Sequence, residues 1–148
     1  MKNNEIRNMD MQTIIIVSDM NNMLEEMILE ASPYMSGVEK LNALTDCMML
    51  KEINDKSTEL TNGFKLSKGL TFFDATEITK LMDESVFIYT DTVMTMAKHI
   101  VPFYQNPENF MRFDGDVINS VASKIEAIID MMDNIIELRE KINLLKGN

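Results

Sequence analysis

The sequence is short of the residues that usually carry enzyme chemistry. It has one Cys and one His. A single Cys excludes an intrachain disulfide and a CxxC zinc site, and a single His excludes a multi-His metal centre. Bases are also scarce: 14 Lys+Arg stand against 24 Asp+Glu, for a formal charge of −10. That deficit argues against direct nucleic-acid binding, which needs a basic face to displace counterions. No apolar run approaches the roughly 18–20 residues of a membrane span. The longest stretch of that kind, Thr13–Val17, has five residues. Met1–Glu5 holds no signal-peptide core, so a cytoplasmic location is expected. A glycine-rich phosphate loop and a nucleophile elbow are absent as well. A di-metal bundle needs Glu-x-x-His twice, but Met96 stands three residues before His99. No cofactor and no enzymatic activity are expected, because one His and one Cys assemble no acid, base and nucleophile.

Glycine and proline are sparse too, with five Gly and three Pro. Apart from Gly147 they fall at three breaks: Pro33 with Gly37, Gly63 with Gly69, and Pro102 and Pro107 with Gly115. Four long segments lie between the breaks, and each carries a helical period. In the first, about Glu5 to Ala31, Ile16, Met20, Met23 and Met27 share one face. Its β-branched run Ile14–Val17 suits a strand, but the Met-, Leu- and Glu-rich continuation favours helix. The second opens on Ser36-Gly37-Val38-Glu39, which reads as a capping box. Val38, Leu41, Met48, Met49, Ile53 and Leu60 supply its apolar side, and Asn62-Gly63 reads as its stop. The third opens on a second box, Asp74-Ala75-Thr76-Glu77. It then runs a heptad seam through Met82, Val86, Tyr89, Val93, Met96, Ile100 and Phe103. The fourth is capped by Asp114 and seamed by Ile118, Val121, Ile125, Ile128, Met132 and Ile135, with Leu138, Ile142 and Leu145 beyond.

At 148 residues, with 45% hydrophobic and 26% charged composition, the chain fits one globular domain over 1–148. Helices of ~25–30 residues would each be ~40 Å long. The expected fold is all-α: four long helices in an antiparallel up-down-up-down bundle. A homodimer that completes a shared core is the alternative packing.

That topology puts the first and third connections at one pole. Tyr34, Phe103, Tyr104, Phe110 and Phe113 gather there, half of the ten Phe and Tyr residues, together with His99, Met35, Met111 and Arg112. Aromatic, Met and Arg mixtures favour binding surfaces, although the open end of a bundle core also needs a plug. The bundle half holding this pole, residues 18–49 and 88–130, has 12 acids and 4 bases, a net charge of −8. Such a field steers a basic partner, and acids also serve simply to keep a Met-rich bundle dissolved. A second feature is Glu126, Asp130, Asp133 and Glu137, one face of the fourth helix at spacings of four, three and four. Like charges at that spacing cost a helix roughly 0.2–0.5 kcal/mol per pair. The face suits a basic protein or mimics a phosphate row, and as an ordinary solvated face it is partly relieved by Lys141.

Three smaller signals carry structural readings. Cys47 lies beside Asp46, and an adjacent acid raises a thiol pKa, so a buried structural Cys is expected. Asp114-Gly115-Asp116 lacks the further oxygen ligands of an EF-hand and reads as helix capping. Most of the fifteen Met residues occupy core positions, which suits loosely specified packing.

The leading expectation is a non-enzymatic protein-interaction or regulatory bundle. Its contact surface is Tyr34, His99, Phe103, Tyr104, Phe110 and Arg112, and its partner is a protein with a basic surface. Two alternatives stand beside it. One is an acidic inhibitor of a nucleic-acid-binding protein, using the Glu126–Glu137 face. The other is a sensor that holds a small apolar ligand between the helix ends near His99.

Overall fold

A computed structural model describes residues 2–67 and 75–147, apart from the side chains of residues 67, 75, 76 and 78. Among the described residues there are four long helices and two short elements. These are α1 (Lys2–Ala31), a 3-10 turn (Ser32–Tyr34), α2 (Gly37–Ser67), α3 (Ala75–Gln105), α4 (Pro107–Phe110) and α5 (Gly115–Gly147). No strand occurs among them, so the β-branched run Ile14–Val17 is helical. Gly69 and the Asp74 cap lie outside the described residues.

Side-chain partners fix the directions. Glu30, at the end of α1, meets Lys124 near the start of α5 at 2.6 Å. Ser18 in α1 donates to Asn54 in the second half of α2 at 2.8 Å. Lys146, at the end of α5, pairs with Asp83 near the start of α3. The order is therefore up-down-up-down, as the short connections require.

The bundle is not square. α1 packs against α2, α3 and α5, while α2 and α5 scarcely touch. A helix with three neighbours needs a wide apolar face, and α1 has one. It buries an adjoining pair at every second turn: Thr13 with Ile14, Met20 with Asn21, and Met27 with Ile28. Ile16 and Met23, from the expected face, lie half-buried at its flank. The α3 and α5 seams fall where the heptads place them: Met82, Val86, Val93 and Ile100 are buried, as are Val121, Ile125, Ile128 and Ile135.

Helix α2 departs from the expectation. Its buried stripe is Ala43, Leu50, Ser57 and Phe64, one residue per heptad. Val38, Leu41 and Met48 are instead 72%, 64% and 73% exposed. Two apolar stripes lie on one helix, and periodicity alone does not say which is buried. The expected stop at Asn62-Gly63 is also absent, because the helix continues to Ser67 with Gly63 inside it. Nor does Glu39 complete a capping box. Its carboxylate reaches Arg112, at 2.8 Å, and Gly37 enters the helix at φ +58°, a left-handed backbone that glycine adopts without cost.

Candidate functional site

The first and third connections do meet. Pro33 breaks α1 into the 3-10 turn, where Ser32 Oγ donates to the Leu29 carbonyl at 3.2 Å. Beyond α3, Asn106 caps α4 by accepting from the Glu108 backbone N–H at 3.1 Å. Asn109 then donates its amide to the Phe103 carbonyl at 2.9 Å, folding α4 back on the end of α3. The turn delivers Phe113, whose ring lies 5.9 Å from Tyr34 and 6.1 Å from Tyr104. Phe103 meets Tyr104 edge-on at 5.1 Å. Asp114 Oδ1 accepts from the Gly115 N–H at 2.7 Å and starts α5.

Beside this aromatic cluster, α2 and α3 part to leave a groove of about 140 Å³. Ile28, Ala43, Ile100 and Phe103 form its apolar wall, and Glu39, Asn42, Asp46, His99 and the Tyr104 ring supply the polar groups. A recess of about 220 Å³ adjoins it past Asp46, His99 and Ile100, and ends on Thr95 and Met96. The Arg112 guanidinium, also bonded to Asn109 at 2.9 Å, sits on the Glu39 carboxylate as an ion pair that is not aligned as a hydrogen bond. Asp46 has no such cation among the described residues. Burial, and then the Asp46 and Glu39 carboxylates, push the Tyr104 hydroxyl well above its usual pKa, so it stays protonated.

The structure brings together Tyr34, His99, Phe103, Tyr104, Phe110 and Arg112 at one end, but not in one role. Tyr104 is 2% exposed and belongs to the core, so its ring is not a free contact surface. Phe103 and Phe110 are half-buried against that core. Tyr34, His99 and Arg112 remain exposed. His99 therefore faces the groove as an exposed side chain. The four acids Glu126, Asp130, Asp133 and Glu137 are all exposed. They lie on α5, which packs on α1 and scarcely meets α2, so they form a second surface and not part of the groove. Lys141 meets Glu137 at 3.3 Å, the relief the spacing predicts.

Cys47 is half-buried. Burial first, and then Glu25 rather than the adjacent Asp46, raises its thiol pKa. Among the described residues no group of three His, Cys, Asp or Glu side chains closes on one point where a metal ion would sit. No helix among them is long and apolar enough to cross a membrane.

Sequence reasoning missed Asn42, Asp46 and Ile100 as groove residues. It also missed a buried acid pair, Asp10 with Asp83, at the other end of the bundle. A signal for that pair existed. Asp10 stands in heptad register with Val17 and Leu24, and Asp83 with Thr90, Ala97 and Tyr104, all buried. No protein-family model, no curated protein and no solved structure matches the chain.

Proposed function

We propose that the chain is a non-enzymatic protein-interaction module that docks a basic amphipathic helix of another protein along α2 and the α2–α3 groove. One observation carries this reading: the first half of α2 leaves Val38, Leu41, Met48 and Met49 exposed on its outer side, while Glu39 and Asp46 line the groove on its flank toward α3. Val38 to Met49 spans about 16 Å of helix axis, enough for the apolar face of a few helical turns of a partner. Grooves of this kind hold an amphipathic helix by its apolar anchors, and flanking acids select a basic one. Tyr34, His99, Phe103 and Arg112 extend the surface, while Tyr104 and Phe113 support it from below.

The test is capture from nuclease-treated native lysate with the wild-type chain and with the double variant Leu41→Asp and Met48→Asp. Both positions are exposed, so helical content and thermal midpoint are expected to hold. The wild-type chain is expected to retain one protein, through a basic helix, at moderate salt, and the variant to lose it. A partner captured equally by both, or a homodimer that buries Met48, would overturn the reading.

A second reading has its own observation. Glu126, Asp130 and Asp133 are exposed and have no cationic partner among the described residues. An acidic row of this kind suits a basic nucleic-acid-binding protein. Its complex should weaken steeply as salt rises, and a salt-insensitive complex would count against it.

A further inference from the structure

We propose that the α2–α3 groove is a socket for one alkylguanidinium group, held between Asp46 and the Phe103–Tyr104 edge. The chemistry of the walls selects a cation. Two carboxylates enter the groove, and the chain's own Arg112 neutralises only Glu39. Asp46 lines both the groove and the adjoining recess, so it can be approached from either. Tyr104 is 2% exposed and lines the groove, so its hydroxyl can turn a lone pair toward a donor that enters there. A guanidinium supplies five such donors in a planar fork, matches a carboxylate with two of them, and stacks on an aromatic face.

Size and polarity fit as well. A cavity of about 150 Å³ holds one benzene ring, and the groove, at about 140 Å³, admits one group of that scale. Ile100 and Ala43 give an apolar wall for the alkyl stem, which long basic side chains bury while the charged head stays solvated or paired. Arg112 on Glu39 shows the same pairing made within the chain at the groove mouth. The socket stands independently of the partner reading, because its occupant is either a small free guanidine or the end of an arginine side chain.

The experiment is an NMR titration read at the single His99 ring, with circular dichroism of each variant as the fold control. The probes are n-butylguanidinium, its uncharged isostere n-butylurea, and a short helical peptide carrying one Arg, compared with the same peptide carrying citrulline. Butylguanidinium is expected to shift the His99 ring resonances, and butylurea is not. Asp46→Asn should weaken the guanidinium at least about tenfold, about 1.4 kcal/mol. The exposed Asn42→Arg places a guanidinium four residues before Asp46 and should abolish the shift without disturbing the core. An Arg-dependent peptide that binds tighter than butylguanidinium identifies a protein source, and equal affinity identifies a free guanidine. Equal shifts from butylurea, unchanged affinity in Asp46→Asn, or no His99 shift with any cation would overturn the socket. None of these outcomes depends on a partner being captured from lysate.

Discussion

Asp10 and Asp83 show how one proton is built into the core. Asp10 is 1% exposed and Asp83 is 7% exposed, and they face each other from α1 and α3. Two carboxylates so placed can share a hydrogen bond only when one of them holds a proton. Burial first, and then Asp83, push Asp10 from 3.8 up to about 8, while Lys146 and Arg139 on α5 pull the other way. At neutral pH the folded chain therefore holds a proton on Asp10 that the unfolded chain releases. The folded state binds more protons than the unfolded one between about pH 4 and pH 8, so stability falls as pH rises through that window. One such proton contributes a slope of at most about 1.4 kcal/mol per pH unit. Asp10→Asn keeps a donor toward Asp83 and needs no proton. In urea melts at pH 5 and pH 8, the variant is expected to gain on the wild type as pH rises. A constant difference between the two pH values would remove the shared proton. Asn21 is a contrasting case: it is fully buried, and neither side-chain amide atom has a partner among the described residues. Such an atom costs about 1–3 kcal/mol, so the buried face of α1 is not tuned for stability alone.

Helix α2 is where sequence and structure part. The seams of α3 and α5 were legible because in each the longest unbroken apolar stripe is the buried one, although Leu81, Phe87 and Ile88 on α3 and Ile129 and Ile136 on α5 lie exposed beside it. Helix α2 carries two stripes. The buried one uses Ala43 and Ser57, small residues that add little to a hydrophobic pattern, and the exposed one uses Val38, Leu41 and Met48, which add much. Pattern therefore pointed outward. The aromatic end was legible as a meeting of connections, but the split between Tyr104 inside and Tyr34 outside was not. It depends on how Asn109 folds α4 back onto α3, a contact six residues apart with no periodic signal. Gly63 was misread for a related reason: Asn-Gly is a stop signal, but here packing carries the helix through it. Its space gives a direct test. A Cβ at Gly63 would lie 3.8 Å from Met82 Cε, an ordinary van der Waals contact. Gly63→Ala should therefore raise stability by about 0.5–1 kcal/mol through reduced backbone entropy in the unfolded chain. The check is a thermal or urea melt. A lower midpoint would mean that Gly63 serves a closer approach of α2 and α3 than the backbone shows.

On the scale of the whole molecule, α1 is the hub. It touches each other long helix, whereas α2 leans on α1 and α3 alone, and α5 leans mainly on α1. Ion pairs pin both ends of this arrangement. Lys124 bridges Glu30 at 2.6 Å and Ser120 at 2.7 Å at the aromatic end, and Lys146 holds Asp83 at the other. Burial alone would raise the Glu30 pKa, but the hydrogen bonds from Lys124 and Ser120 outweigh it and hold it low, so this bridge persists under mildly acidic conditions. The order of contacts implies an order of opening. The central amides of α1, around Val17–Ile28, are covered by three helices and should exchange only on global unfolding. The amides of α2 around Val38–Met49 sit beneath a bare outer face and beside a groove, so they should exchange by smaller local openings. Hydrogen exchange followed by mass spectrometry should find α1 slowest and the first half of α2 faster under native conditions. A guanidinium seated at Asp46 would slow α2 by closing its local openings, and it would slow α1 only by the global stabilisation that binding adds. Equal protection of α1 and α2 without ligand would mean that the four helices open together, and α1 would lose its place as hub.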